Sequence, residues 1–177
     1  MFPPVHPAIG YLALTLVSIR YWNDQPDGPT TIAVIIGSLL PDFIDQSVAI
    51  IFGLATTRTL GHSLLFAMPL VAVSVIVARI RGTHQRTAGA FGLGYLLHLV
   101  ADAVWPALLR IPSELEFLFW PVTPSPPYDG QKPLFALDAL TITTLWFELP
   151  VLLIGAAVWI HHGMPGVRTT VRLLRIR

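Results

Sequence analysis

Five long runs of apolar residues, separated by short polar or proline-rich stretches, dominate the pattern of this chain. Runs of this length, without the strict alternation of a half-buried strand, predict helices. The predicted helices are Pro7–Tyr21, Thr31–Leu40, His62–Ile80, Thr87–Leu109 and Leu140–Ile160. We expect the second helix to end at Pro41. A further apolar piece, Ser47–Leu54, is too short to cross a bilayer and is predicted to be a re-entrant or interfacial segment.

The composition favours lipid as the surroundings of these helices. Hydrophobic residues make up 54% of the chain and charged residues only 12%, with a mean hydropathy of +0.67. A soluble domain is roughly 25% charged, so this chain lacks the polar residues to cover a globule. We therefore predict an all-α, polytopic bundle of about five spanning helices, formed as one integral membrane domain over residues 1–177.

Charge and cysteine content narrow the partners further. The formal net charge of +1 gives no reason to expect nucleic acid, and the lipid bilayer is the expected partner. Cysteine is absent, which excludes disulfides and thiolate metal ligands. The first residues, "MFPPVHPAIG", carry no basic region and no evident cleavage site, so we do not expect a removable signal peptide.

The distribution of Lys and Arg predicts how the helices are oriented. If the basic C-terminus is cytoplasmic, alternation of the spans places eight cationic residues inside and three outside, which agrees with the positive-inside rule. Those outside are Arg58, Arg110 and Lys132, and those inside are Arg20, Arg79, Arg81, Arg86, Arg168, Arg172, Arg175 and Arg177.

The stretch "GYLLHLVADAVW" places an imidazole and a carboxylate, His98 and Asp102, inside an apolar helix. Residues four apart share one helix face, so both side chains point the same way. Ionisable groups at membrane depth cost at least about 2.5–3.5 kcal/mol and face a cavity or a partner. The alternative interpretation is a hydrogen-bonded polar pair that holds helices together. The predicted orientation brings six such groups to the outer face of the membrane: His6, Asp42, Asp45, His62, His98 and Asp102.

Imidazoles combined with carboxylates are typical ligands of zinc or manganese rather than calcium or magnesium. Six ligands exceed one tetrahedral zinc site, so one or two ions are expected, with a water held by the ion as nucleophile. Asp102, the deepest residue, is the candidate bridging carboxylate.

Arg58 is a candidate clamp for an anionic group such as phosphate. Glu148 is interpreted as an extra ligand, a general base or a helix–helix contact. We expect Ser63 to be a helix N-cap rather than a nucleophile, and expect no role in the site for His84, His161 and His162.

Five short motifs resemble the YdjM-type predicted membrane-bound metal-dependent hydrolases. In order they are "HPAIGYL", "GSLLPDFID", "RTLGHSLLF", "GYLLHLVAD" and "FWP", spanning His6 to Pro121. The resemblance implies a multi-pass protein of the prokaryotic plasma (inner) membrane with a metal-dependent hydrolase site. By motif, the metal residues carried over are His6, Asp42, Asp45, His62, His98 and Asp102. The family's aspartate motif is often Pro-Asp-x-Asp-His, whereas here the second carboxylate comes one residue later. The resemblance therefore leaves open which of Asp42 and Asp45 is the ligand.

More distantly, the order of these residues is similar to the zinc-dependent phospholipase C and nuclease group. That likeness implies phosphoester hydrolysis, with zinc ligands at His6, Asp45, His62, His98 and Asp102. Together these patterns predict a metal-dependent hydrolase of a phosphate-bearing or lipid-linked substrate, with its site on the extracytoplasmic side. Two alternatives remain: an ion- or proton-coupled transporter that uses Asp102 and Glu148, and a non-catalytic membrane scaffold.

Overall fold

The computed structural model describes residues 3–82, 84–125, 142–167 and 169–171, and the regular structure in these residues is entirely helical. This confirms the predicted all-α class. A π-helical turn, Ser18–Trp22, extends the first helix, and a 3-10 helix, Pro112–Phe119, follows the fourth. The five α-helices are α1 Val5–Val17, α2 Gly28–Phe52, α3 Leu64–Ile80, α4 Gln85–Leu108 and α5 Ile142–His161. The predicted start of the last helix at Leu140 lies outside the described residues.

Helix α2 is longer than the sequence predicts. It begins at an Asp27 cap, whose carboxylate accepts from the Thr30 N–H at 2.8 Å, and ends at Gly53, which has a φ of 62°. The predictions that the helix ends at Pro41 and that Ser47–Leu54 is a separate segment are wrong, because residues through Phe52 continue α2. Proline removes one backbone hydrogen bond, but a spanning helix can tolerate that loss where neighbouring segments pack against it.

The packing around Pro41 supplies that support. Pro41 is buried, and the backbone of Gly61 approaches so closely that a Cβ atom there would clash with the Pro41 carbonyl group. The loop that follows α2 therefore folds back onto the helix beside the proline. Asp42 and Asp45 consequently lie within one continuous helix rather than in a loop after it.

Helices α2 and α4 form the centre of the bundle. A Cβ atom at Gly94 would clash with the Val34 carbonyl oxygen, and one at Gly37 would clash with the Phe91 carbonyl oxygen. The absence of side chains at these glycines lets the two backbones approach closely, as in many membrane helix pairs. Helix α1 packs against both central helices, α3 packs against α4, and α5 packs against α1.

The alternating chain direction brings four helix ends to one end of the bundle, which we call the site end. Helices α1 and α3 begin there, and α2 and α4 end there. Helix α5 runs parallel to α1, because Gly155 packs against Ala8 and the Tyr11 hydroxyl forms a 2.8 Å hydrogen bond with His162 Nδ1. The opposite end of the bundle, where α1 ends and α4 begins, is called the far end.

Two described helices, Gly28–Phe52 and Gln85–Leu108, are long and apolar enough to cross a membrane. Leu64–Ile80 and Trp146–His161 are apolar but shorter. Many large apolar side chains on these helices are exposed, including Ile36, Val73 and Leu153. The arrangement agrees with a membrane protein, and five complete spans remain a prediction.

Candidate metal centre

The site end buries a cluster of ionisable side chains from α1, α2, α4 and the loop before α3. We call this group the cluster, and its members are His6, Asp42, Asp45, Arg58, His62, His98 and Asp102. All six candidate metal residues are therefore brought together, with the candidate anion clamp beside them. Five of them are at least nine-tenths buried, and the exception is Asp42, whose side chain is 21% exposed.

Asp45 is the anchor of the loop that carries His62. Its Oδ2 accepts hydrogen bonds from the backbone N–H of Thr59 at 2.6 Å and from His62 Nδ1 at 2.8 Å. Its Oδ1 accepts from the backbone N–H of Gly61 at 2.7 Å and the Thr59 hydroxyl at 2.9 Å. Both oxygens are thus occupied by loop donors, and the carboxylate faces the loop rather than the other imidazoles.

The hydrogen bonds of the two central imidazoles determine which nitrogen faces the cluster. His62 Nδ1 is bonded to the Asp45 carboxylate, and His98 Nδ1 lies 2.7 Å from the carbonyl oxygen of Ser38. Because a carbonyl or carboxylate oxygen only accepts, each Nδ1 carries the proton. In its neutral form each ring therefore directs the lone pair of Nε2 towards the centre, the arrangement found for metal-bound histidines.

The two Nε2 atoms, of His62 and His98, lie 3.1 Å apart. Two lone pairs at this distance repel unless a proton or a cation lies between them. Asp42 Oδ1 completes a triangle, at 3.5 Å from His62 Nε2 and 3.7 Å from His98 Nε2. Ligand atoms about 2.0–2.2 Å from a tetrahedral zinc ion lie roughly 3.3–3.6 Å from one another, so the triangle fits one face of such a site.

A second group of possible ligands shares His98 with the first. It consists of His6, His98 and Asp102, each of which offers one ligand atom within 4.8 Å of the others. His6 Nε2 lies 3.1 Å from Asp102 Oδ1, and the His6 ring stacks on the His98 ring with centroids 3.9 Å apart. His6 Nδ1 is buried and has no hydrogen-bond partner among the described residues. The two groups overlap, as the ligands of a site with one or two ions would.

Arg58 provides a cation at the edge of the cluster. Its guanidinium donates to Asp102 Oδ2 at 3.0 Å and lies over the ring of Phe117, 5.0 Å from the centroid. The described cluster then contains three carboxylates and one guanidinium, a formal charge of −2 when the imidazoles are neutral. One divalent cation would balance this charge.

The electrostatics around the loop residue His62 also favour positive charge. The carboxylate oxygens of Asp45, Asp42 and Asp102 lie 2.8, 3.5 and 3.6 Å from the nitrogen atoms of this imidazole. Three anionic groups therefore surround one imidazole. Such surroundings stabilise either an imidazolium or a metal ion beside the ring.

The 3-10 helix and the residues after it cover the cluster. The ring of Phe117 is buried against His62, at a centroid distance of 6.0 Å. The Ser63 hydroxyl donates to the Trp120 carbonyl oxygen at 2.6 Å, and the Ser125 hydroxyl donates to the Arg58 carbonyl oxygen. These contacts fasten the covering segment to the loop that carries Arg58 and His62.

Other candidates lie outside the cluster. Ser63 accepts from the Leu65 N–H at 3.1 Å, which confirms the predicted N-cap. Glu148 is buried on α5 but belongs to neither ligand group. His162, which follows the end of α5, bonds to Tyr11, and burial and its neighbour His161 lower the pKa of His162.

Three contributors were not identified from the sequence: the carbonyl oxygen of Ser38, the backbone donors at Thr59 and Gly61, and the ring of Phe117. Ser38 lies in "GSLLPDFID", and Thr59 and Gly61 in "RTLGHSLLF", so the quoted motifs contained them. The Ser38 oxygen and the N–H groups of Thr59 and Gly61 belong to the backbone, which all residue types share. Residue type gave no signal for these contacts, although the Thr59 hydroxyl also donates to Asp45. Phe117 resembles any other apolar residue of its segment.

Comparisons with known proteins agree with this architecture. The family model described as YdjM inner membrane protein matches residues 1–174. No curated protein matches the chain, and no solved structure does. The more distant likeness to the zinc-dependent phospholipase C and nuclease group therefore stays a prediction.

Proposed function

Because the chain belongs to the YdjM family of inner membrane proteins, we propose that it is a multi-pass membrane hydrolase that uses a divalent metal ion. Zinc is the ion that the ligands favour, with manganese second. The substrate is a phosphoester, carried by a lipid-linked or other phosphate-bearing molecule. The observation that carries the proposal is the 3.1 Å separation of the His62 and His98 Nε2 atoms beside two carboxylates, because their lone pairs face each other when both rings are neutral.

We assign different roles to the two aspartates of α2. Asp42 is a metal ligand, because its Oδ1 forms a triangle with the two Nε2 atoms. Asp45 is a positioning residue, because its oxygens are occupied by loop donors and it fixes the orientation of His62. Carboxylate partners of this kind orient metal-bound histidines and increase their basicity.

The second ligand group gives the remaining roles. His6 and Asp102 would hold either a second ion or the open side of a single one, and Asp102 is the candidate bridge between the two groups. The Arg58 guanidinium, held against Asp102 and 14% exposed, is placed to bind a phosphate oxygen. Glu148, buried on α5, remains a candidate general base or additional ligand.

A divalent ion bound here would lower the pKa of a coordinated water and neutralise part of the phosphate charge. The residues of the chain supply the remaining effects. Asp45 and the Ser38 carbonyl oxygen fix the two imidazoles before substrate arrives, so little reorganisation is needed. Phe117 and the covering segment shield the centre from bulk water, which strengthens the electrostatic interactions within it.

The charges at the far end support the orientation in which the site is extracytoplasmic. Arg20, Arg79, Arg81 and Arg86 lie on the ends of helices opposite the cluster. The positive-inside rule assigns that end to the cytoplasm. The site end then faces the extracytoplasmic side of the inner membrane, with all five α-helices as spans.

Metal analysis of the purified full-length protein tests this proposal. We expect bound zinc after dialysis against metal-free buffer, and hydrolysis of a generic phosphodiester, bis(p-nitrophenyl) phosphate, that stops when a chelator removes the metal. The variants His62→Ala and Asp102→Ala should lose both the zinc and the hydrolysis. Glu148→Gln should keep the zinc if Glu148 acts as a base and lose part of it if Glu148 is a ligand.

Each rival has its own signature in the same experiment. A transporter would show ion flux in proteoliposomes that disappears in Asp102→Asn, without hydrolysis. A scaffold would bind no metal, and the same substitutions would lower only its melting temperature. Wild-type zinc content in both His62→Ala and Asp102→Ala would refute the metal assignment.

A further inference from the structure

The cluster lies well inside the ends of the helices that carry it. Asp42 is ten residues before Phe52, the last residue of α2, which corresponds to about 15 Å along the helix. Asp102 is six residues before Leu108, the last residue of α4, or about 9 Å. A substrate therefore has to reach a depth of roughly two or three helical turns below the ends of the helices.

The surface beyond this depth is apolar. At the end of α2, Ile50, Ile51 and Phe52 are 82%, 72% and 71% exposed. At the end of α4, Leu108 and Leu109 are 68% and 66% exposed. Adjacent large apolar side chains of this kind are unfavourable in water, and in an inner membrane protein lipid covers them. The lipid-covered surface thus extends further out than the cluster does.

The exposed members of the cluster border this lipid-covered surface. Asp42 and Arg58 are 21% and 14% exposed, and the residue after Asp42, Phe43, is 67% exposed. A cation held at Asp42 and the guanidinium of Arg58 would together bind an anionic phosphate. The phenyl ring of Phe43, the next residue along α2, is exposed on the apolar surface at the same depth as Asp42. The combination matches an amphiphile with a phosphate head and an apolar tail.

We propose that the substrate is a phospholipid of the surrounding bilayer, which enters the site from the lipid side past Phe43. This inference rests on the proposed hydrolase function. In the reaction, the oxygen of a water molecule forms a bond to phosphorus, and the ester P–O bond breaks. The proton lost by the water is transferred to the alkoxide that leaves, so that a phosphomonoester and an alcohol are released.

The test compares two substrates that share a head and differ in their tails. Full-length protein in zinc-loaded vesicles is given a diacyl phosphodiester lipid or its deacylated, water-soluble counterpart. We expect hydrolysis of the lipid to be at least about tenfold faster, because only the lipid can bury apolar chains against the protein. Hydrolysis of the deacylated compound at an equal or higher rate would overturn the lipid inference and leave the hydrolase function intact.

Failure of the hydrolase function gives a different result. In that case neither compound is cleaved, and bis(p-nitrophenyl) phosphate is not cleaved either, which removes the basis of both proposals. Cleavage of bis(p-nitrophenyl) phosphate without cleavage of the lipid overturns only the present inference.

A matched pair of variants tests the entry point. Phe43→Gln should reduce hydrolysis of the lipid several-fold with the zinc content unchanged. Leu16→Gln, at an equally exposed apolar position near the far end (71% exposed), should leave the rate at the wild-type level. Equal rates in Phe43→Gln and the wild type would exclude entry past this side chain.

Discussion

Two regions of the bundle carry histidines, the site end and the end of α5, and their environments differ. At the site end, His6, His62 and His98 are at most 2% exposed and lie among carboxylates. At the end of α5, His161 is exposed, and His162 is partly buried and bonded to the hydroxyl of Tyr11. Histidines thus form a buried group among carboxylates in one region and a more exposed pair in the other.

The difference shows what distinguishes a site from a polar helix contact. At the site end, the rings of His62 and His98 have their Nδ1 atoms bonded to fixed acceptors, so their Nε2 atoms converge. The His162 Nδ1 instead bonds to a phenol that can donate or accept. Preorganised acceptors, rather than the presence of histidine, make the site end a candidate metal centre.

Among these substitutions, we expect replacement of a ligand histidine to have the largest effect on zinc content. His98→Ala should abolish zinc binding, because His98 belongs to both ligand groups. His162→Ala should retain the wild-type zinc content. Elemental analysis of the two purified variants checks this. Equal zinc in both would show that the site-end histidines are only structural.

Substitutions of the two aspartates of α2 should change zinc affinity and stability to different extents. Asp45→Asn leaves the N–H groups of the loop with a weaker acceptor, so we expect a loss of stability of about 1–3 kcal/mol. Its zinc affinity should fall about 10–100-fold, as for other partners of ligand histidines. Asp42→Asn should lower the affinity with little change in the melting temperature. Thermal unfolding and zinc titration of both variants measure the separation, and a stable Asp45→Asn variant without zinc would reverse the assignment.

A glycine pair on α4 tests how the central helices position the site. Gly94→Ala forces the new Cβ atom against the carbonyl oxygen of Val34, which should cost about 1–3 kcal/mol. The same separation of helices would weaken the His98–Ser38 hydrogen bond and lower the zinc affinity. The control is Gly89→Ala, where a Cβ atom meets nothing within 4 Å.

That control should be neutral or slightly stabilising, by about 0.5–1 kcal/mol, because alanine favours the helix. Thermal unfolding compares the two variants. Equal melting temperatures would show that the stability of the bundle does not depend on the close approach of α2 and α4.

The smallest effect is expected at the hydrogen bond between Tyr11 and His162, outside the cluster. Tyr11→Phe removes the hydrogen bond to His162 and should lower the stability by about 0.5–1.5 kcal/mol. Zinc binding should not change, because neither Tyr11 nor His162 belongs to a ligand group. A zinc titration in parallel with thermal unfolding checks both statements. A loss of zinc in this variant would mean that this hydrogen bond and the metal centre are coupled.

Most of the helices could be predicted from the sequence, because a run of apolar residues indicates a helix without information from the rest of the chain. The course of α2 could not. Proline at position 41 is a local signal for a helix end, whereas the packing of Gly61 against it comes from a loop twenty residues further on. Tertiary packing outweighed the local preference.

By itself, the sequence determined that this chain is a helical protein with an apolar surface and an uncommon set of imidazoles and carboxylates. Residue type and local spacing are sufficient for that conclusion. Only the tertiary structure decided that Asp45 bonds to the loop while Asp42 faces the imidazoles, and which nitrogen of each ring points inward. These features depend on hydrogen bonds between residues as far apart as 17 and 60 positions. Such partners meet only when the helices have packed.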